Sequence, residues 1–181
     1  MNTQDIDILE IIDFYDPKLK RRETLVTGII ALLVAVVSGT ILELNGFSRL
    51  FILIIVPLFF FPGAFVHEGL HYSFQWYFSR EKPHLGFKFP YPYSALSPSS
   101  FITRNQAISC ALAPALILTL ILSIPALFTF LLFRVLLLAW ASIELASCYN
   151  DLYFTYRLLK HPSNCLLKNV DLRNVLFKPK T

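Results

Sequence analysis

Residues 105–133 read NQAISCALAPALILTLILSIPALFTFLLF and contain no charged residue. A membrane-spanning helix needs roughly 20 consecutive apolar residues. The segment therefore predicts such a helix, and Pro125 is tolerable within it as a kink. Uncharged runs of this length are rare in soluble proteins, so the fold class is decided here in favour of a membrane protein.

Three further apolar stretches surround this segment, at residues 24–44, 50–66 and 135–156. The first has one charge, Glu43, at its end, the second has none, and the third has Glu144 and Asp151. We therefore expect an all-α, polytopic membrane protein with four transmembrane helices, whose core spans residues 24–160 of a single domain covering residues 1–181.

The composition agrees with a lipid environment. Hydrophobic residues make up 55% of the 181 residues and charged residues 15%, with a mean hydropathy of +0.58. Soluble domains carry about 25% charged residues. A separate, large soluble catalytic domain does not fit in a chain of this length.

The basic residues have a topological pattern. Fourteen of the sixteen lysines and arginines lie before the first stretch, between the second and third, or after the fourth. Arg49 and Arg134 fall in the other two connections. This positive-inside pattern predicts a multi-pass protein of the cell membrane with both termini cytoplasmic. The pI of 9.0 is thereby explained by the topology; no anionic partner is needed beyond lipid head groups, and nucleic acid is not expected as a partner.

The two ends are expected to be peripheral. Residues 1–22 combine acids with isoleucines and predict a cytosolic or interfacial segment, as a short helix before Pro17. Residues 161–181 predict a basic cytosolic tail. The first apolar stretch is expected to stay as an anchor, because 23 residues with six of the twelve acids precede it. Cys110, Cys148 and Cys165 show no paired spacing and are expected to be small packing residues.

The sequence His67-Glu68-Gly69-Leu70-His71 is an H-E-x-x-H motif. His67 and His71 are one helical turn apart, so both imidazoles leave the same helix face and can bind one Zn²⁺. Glu68 is offset around the helix, where it can act on a water as the catalytic general base. The motif therefore predicts a zinc hydrolase site at the end of the second membrane helix.

A catalytic zinc site needs a third protein ligand and an open position. The candidates are His84, His161, Glu81, Glu144 and Asp151. At 1.5 Å per residue, His67 lies roughly 27 Å beyond Arg49, and Asp151 lies roughly 25 Å beyond Arg134. Glu144 lies only roughly 15 Å along its helix, about two turns too shallow. This argument favours Asp151 as the third metal ligand.

In the middle of the connection at residues 79–104, large apolar side chains alternate with glycine, lysine and proline residues. Phe87 and Phe89 belong to this pattern, which predicts a short extended or hairpin segment between the second and third helices. Such a segment could pair with a substrate backbone by strand addition, or lie in the membrane interface as an aromatic loop. We expect Phe87, Phe89 and Asn150 to contribute to substrate binding.

The motif near the cytosolic end of one membrane helix, with an Asp at equal depth on a later helix, resembles the site-2 protease clan of intramembrane zinc metallopeptidases. The chain is more closely similar to small four-helix membrane proteins of the DUF3267 zincin peptidase type. The matching pieces cover most of residues 60–160 and are His67–His71, Gly86–Tyr93, Ala113-Pro114 and Cys148–Leu152. Unlike the site-2 proteases, the chain has no Pro or Gly beside Asn150-Asp151-Leu152.

The resemblance implies His67, His71 and Asp151 as zinc ligands and Glu68 as the catalytic acid/base. The expected function is hydrolysis of peptide bonds in membrane-associated substrates near the cytosolic leaflet. Two alternatives stay open: a non-proteolytic membrane protein that uses zinc for structure or sensing, and a zinc hydrolase of a lipid or another amide. The partners expected are membrane lipids and a peptide or membrane-protein substrate, and the sequence makes no prediction of oligomeric state.

Overall fold

The computed structural model describes residues 6–13, 16–46, 49–88, 91–170 and 173–179. Helices hold 67% of the described residues, so the architecture is mostly helical. The elements follow in the order β1 (Ile6–Ile12), α1 (Pro17–Leu44), α2 (Arg49–Ser79), β2 (His84–Lys88), β3 (Tyr91–Ala95), β4 (Ile102–Thr103), α3 (Arg104–Phe128), α4 (Leu131–Ser147), α5 (Tyr149–Leu159), β5 (Leu166–Val170) and β6 (Arg173–Pro179).

Two or three membrane spans can be identified among the described residues. Helices α1 and α3 are each long and apolar enough to cross a membrane. Helices α4 and α5 qualify as a third span only when taken together, because they meet at a bend of 44°. The apolar window of α1 is only 11% buried inside the protein, as expected of a surface that faces lipid. The fourth span, at residues 50–66, stays a prediction.

Local chemistry explains where two of the helices begin. The side chain of Asp16 accepts a hydrogen bond of 2.8 Å from the backbone N–H of Lys18, and Pro17 occupies the first turn of α1. Thr103 and Gln106 form a reciprocal capping box at the start of α3. Both caps satisfy backbone N–H groups that a helix leaves without a partner in its first turn.

The all-α prediction is wrong in detail, because the chain also forms two antiparallel sheets. Strands β2 and β3 pair with each other between α2 and α3. The second sheet has the order β1-β6-β5-β4 and joins the two ends of the chain to the start of α3. Such a sheet is hard to predict from local sequence, since its register depends on pairing between distant segments.

Both peripheral segments belong to this four-stranded sheet. The predicted interfacial helix near the N-terminus is wrong, because residues 6–12 form strand β1, paired with β6. β-Branched isoleucines, which favour strands, dominate that segment. The predicted peripheral tail is also wrong, since β5 and β6 contribute the buried residues Leu167 and Leu176 to the main core. That core packs the sheet against α3 and α5.

A cluster of charged groups ties β1 to α5. The carboxylate of Glu10 forms an ion pair with Arg157, and its other oxygen lies 2.5 Å from Nε2 of His161. Arg157 also donates a hydrogen bond of 2.5 Å to the hydroxyl of Tyr153. The N-terminal strand is thereby fixed to the helix whose first turn contains Asp151.

Candidate metal centre

Helix α2 presents the two histidines of the H-E-x-x-H motif on one face. His67 and His71 are 8% and 9% exposed, so both imidazoles are buried. Their Nε2 atoms lie 3.2 Å apart. One helical turn separates the two positions, which explains why both side chains reach the same point.

Asp151, in the first turn of α5, completes a triangle with these nitrogens. One carboxylate oxygen lies 3.3 Å from Nε2 of His67, and the other lies 3.4 Å from Nε2 of His71. A tetrahedral zinc ion with bonds of 2.0–2.2 Å separates its ligand atoms by about 3.3–3.6 Å. The spacing of the two imidazole nitrogens is therefore close to that of two ligands of a tetrahedral zinc ion, and the Asp151 carboxylate lies within reach of the same point.

The Nδ1 atoms of the two histidines, on the other side of each ring from Nε2, have polar neighbours of their own. Nδ1 of His71 lies 2.9 Å from the backbone carbonyl oxygen of Cys110, which can only accept a hydrogen bond. Nδ1 of His67 faces the carboxylate of Glu144 at 3.5 Å and the thiol of Cys148 at 4.0 Å. The carbonyl contact assigns the proton of a neutral His71 to Nδ1, and the carboxylate beside Nδ1 of His67 favours the same tautomer there; a lone pair is then left on each Nε2.

Three hydrogen-bond acceptors consequently converge at one buried point. With Nδ1 protonated, neither imidazole has a hydrogen on Nε2 to donate, and an ionised Asp151 accepts only. Buried acceptors that face one another are unfavourable unless a cation lies between them. The chemistry of the donor set therefore fits a zinc ion.

The structure corrects the depth argument for Glu144. This acid lies on α4 next to His67 rather than two turns away from it, because the bend of 44° turns α5 out of the line of α4. Equal rise along a straight helix is therefore a poor measure of depth here. Oε1 of Glu144 also accepts a hydrogen bond of 3.0 Å from the indole of Trp140.

Glu68 lies beside the same site but is held by a different element. Its Oε2 accepts a hydrogen bond of 2.9 Å from the backbone N–H of Ser94 in β3. A carboxylate oxygen of Glu68 and the ring nitrogens of His67 and His71 lie within 4.8 Å of one another. The acid is thus close enough to exchange a proton with a water at the site.

A cavity of about 550 Å³ opens onto these residues. It is lined by all five helices and by parts of both sheets, including Glu68, Ser94, Asn150, Asp151, Leu167 and Asn174. The amide nitrogen of Asn150 donates a hydrogen bond of 2.6 Å to Glu23 of α1, while its carbonyl oxygen is buried and has no hydrogen-bond partner among the described residues. The residues around Glu23 form no motif that would mark it as part of a site.

The other proposed third ligands lie elsewhere. His161 contacts Glu10, and His84 is exposed on β2. Glu81 accepts a hydrogen bond of 2.6 Å from the hydroxyl of Ser99. That bond, with a weaker contribution from Ser97, holds the pKa of Glu81 below its usual range.

The predicted substrate-binding residues are divided. Asn150 lines the cavity, whereas Phe87 is 59% exposed on β2 and is not among the cavity-lining residues. Phe89 lies outside the described residues. Cys148, which was expected to be a packing residue, is fully buried and also contacts His67.

Gly63 allows Glu144 to approach α2. A Cβ atom at position 63 would collide with Oε1 of Glu144 and would lie 2.7 Å from the indole nitrogen of Trp140. We predict that Gly63→Ala lowers the free energy of unfolding by about 1–3 kcal/mol, as overpacking does. The lower midpoint of thermal unfolding in detergent measures this effect.

Gly69→Ala is the matched control on the same helix, because a Cβ at position 69 has no atom within 4 Å. Alanine favours helices over glycine by about 0.5–1 kcal/mol, so this variant should be unchanged or slightly more stable. Equal midpoints for the two variants would contradict the close packing at Gly63.

A family model described as "Putative zincin peptidase", DUF3267, matches residues 60–166. No curated protein and no solved structure matches the chain significantly. The match includes α2 from before the motif, both strands of the two-stranded sheet, and α3 to α5. A zincin is a zinc metallopeptidase, which agrees with the donor set at the site. Because the match covers more than half of the chain, the protein belongs to the DUF3267 family of zincin peptidases.

Proposed function

We propose that the protein is an intramembrane zinc metallopeptidase of the site-2 protease type. It would hydrolyse peptide bonds of membrane-associated substrates near the cytosolic leaflet. The observation that supports this most directly is the convergence of the acceptor atoms of His67, His71 and Asp151 at 3.2–3.4 Å inside a cavity. These three side chains would hold the zinc ion.

The chain itself supplies the proton transfers. Zinc bound at such a site lowers the pKa of water to about 7 and polarises a carbonyl group. Glu68 accepts the proton from the attacking water on its carboxylate and then passes it to the amine that leaves. The hydrogen bond from the backbone N–H of Ser94 fixes the carboxylate of Glu68 while leaving its second oxygen available for the proton.

Strand β3 is suited to hold an extended substrate. The N–H of Ser94 points to Glu68 and not to β2, so this edge of β3 faces the site. Pro92 lies two residues earlier, so its backbone nitrogen faces the same edge. Its lack of an N–H therefore removes no hydrogen bond between β2 and β3. A substrate strand would donate its backbone N–H groups to the carbonyl oxygens along this edge by strand addition.

Asn150 provides a further contact for a peptide. Because Glu23 can only accept hydrogen bonds when ionised, it keeps the amide nitrogen of Asn150 on its own side. The side-chain carbonyl oxygen of Asn150, which is buried and has no partner in the described part of the chain, is then directed away from Glu23. It would accept a hydrogen bond from a backbone N–H of the substrate.

The charges of the cavity favour a peptide over a phospholipid. Among the described residues that line the cavity, the single lysine or arginine is Lys20. Its ammonium group forms an ion pair of 2.8 Å with Glu23. A phosphate group would find no unpaired lysine or arginine there, whereas neutral amides find the partners just described. The lipid-hydrolase alternative therefore has less support.

The non-proteolytic alternative requires a closed metal site. Structural zinc sites usually have four protein ligands. His161 contacts Glu10 and His84 is exposed on β2, and Cys148 contacts Nδ1 of His67, the nitrogen on the far side of the ring from Asp151. This arrangement supports an open position for water and substrate.

The membrane orientation is also part of the proposal. Exposed aromatic side chains lie near the ends of α2 and α5, where a membrane interface is expected. The guanidinium of Arg80 lies 5.1 Å from the ring centroid of Tyr77, and the ammonium of Lys160 lies 4.2 Å from that of Tyr156. We propose that both termini and the four-stranded sheet are cytoplasmic.

Glu68→Gln tests the catalytic role. We expect the variant to keep zinc but to cleave a pool of membrane-inserted, internally quenched peptides at least about 100-fold more slowly, because the general base is lost. Bound zinc and the rate of fluorescence increase are measured on the same reconstituted samples. Glu81→Gln, which removes an exposed carboxylate bonded to Ser99, should leave the rate unchanged.

Cleavage by Glu68→Gln at the rate of the unmodified protein would refute the mechanism. A wild-type protein that binds zinc and cleaves no peptide of the pool would favour the structural or sensing alternative.

Cysteine labelling tests the orientation. Asn45 lies in the turn after α1, and Ser163 lies between α5 and β5; both are exposed, whereas the native cysteines are buried. We expect a membrane-impermeant maleimide to label Asn45→Cys in intact cells and Ser163→Cys only after lysis. The reverse pattern would overturn the proposed topology.

A further inference from the structure

Pro114 lies inside α3 and is fully buried. In an α-helix, the carbonyl of residue i accepts a hydrogen bond from the N–H of residue i+4. Proline has no N–H, so the carbonyl of Cys110, four residues before Pro114, has no donor from its own helix. A buried carbonyl in this situation needs another partner.

The imidazole of His71 supplies that partner. Its Nδ1 lies 2.9 Å from the carbonyl oxygen of Cys110, and both residues are buried. A proline ring also clashes with the carbonyl at i−4 and pushes it away from the helix axis. Both effects of Pro114 therefore act on the carbonyl that faces His71.

We propose that Pro114 is a positioning residue for the metal ligand His71. By leaving the Cys110 carbonyl without a helical donor, it holds the proton of His71 on Nδ1 and the lone pair on Nε2, directed at His67 and Asp151. This inference rests on the proposed zinc site, because orientation of a ligand matters when the ligand binds. Mutation of the partner that orients a metal-binding histidine commonly lowers the metal affinity by about 10–100-fold.

The same helix contains a proline that serves as the control. Pro125 also lacks an N–H, but the residue four positions before it, Ile121, is 59% exposed and lies outside the cavity lining. A general effect of proline on the shape or stability of α3 would be shared by both positions. An effect that acts through His71 should occur only when Pro114 is replaced.

The experiment compares zinc affinity in detergent, by competition with a fluorescent chelator, for the full-length wild type, Pro114→Ala and Pro125→Ala. Pro114→Ala restores an N–H for the Cys110 carbonyl, so its zinc affinity should fall about 10-fold or more. Pro125→Ala should stay within about twofold of the wild type, since the same change occurs away from the site. Pro114→Val restores the same N–H with a larger side chain and should weaken zinc binding in the same way.

A second measurement reads the ring of His71 directly, without metal. Nitrogen-15 spectra of histidine-labelled, zinc-free protein report which ring nitrogen carries the proton, with His67→Gln used for assignment. The wild type should show His71 protonated on Nδ1, and Pro114→Ala should show a mixture of the two tautomers. A thermal melt of each variant checks that it is folded.

The outcomes separate this inference from the proposed function. A wild type that binds no zinc would contradict the proposed metallopeptidase. A wild type that binds zinc, with equal affinity in folded Pro114→Ala and Pro114→Val and an unchanged His71 tautomer, would overturn the role of Pro114 alone.

Discussion

The acceptor groups of His67, His71 and Asp151 meet between α2 and α5, and much of the architecture serves to hold them together. Their mutual repulsion in the absence of a cation has to be offset by packing elsewhere. The bend of 44° between α4 and α5 brings Asp151 to the histidines, and the core under the four-stranded sheet fixes α5. The packing of the helices and the sheet therefore keeps these acceptor groups in place for a metal ion.

Residues that contact the three ligands, or the neighbour of one, come from three more helices. The carbonyl of Cys110 on α3 contacts His71, and the carboxylate of Glu144 on α4 contacts His67. Asn150, adjacent to Asp151, bonds to Glu23 on α1. Every helix thus contributes a residue to the site or to its immediate surroundings. Membership of the zincin peptidase family agrees with this reading.

Periodic and local features were predictable from the sequence. The H-E-x-x-H spacing identified His67 and His71 as neighbours, and the uncharged runs identified the helices α1 and α3. The depth argument placed Glu144 about two turns away from the histidines, whereas it lies next to His67, because a bend within an apolar run has no local signal in the composition. Strands β1, β5 and β6 were missed for a different reason: their pairing joins residues 6–12 to residues 173–179, and such contacts depend on the whole fold.

Zinc content per chain tests the central claim most directly. It is measured on gently purified, detergent-solubilised wild type, on Asp151→Ala, and on Glu81→Ala as a carboxylate control outside the site. The account predicts about one zinc per chain in the wild type and in Glu81→Ala, and a clear loss in Asp151→Ala, since one of three protein ligands is gone. A wild type without zinc, or an Asp151→Ala variant with undiminished zinc, would contradict it.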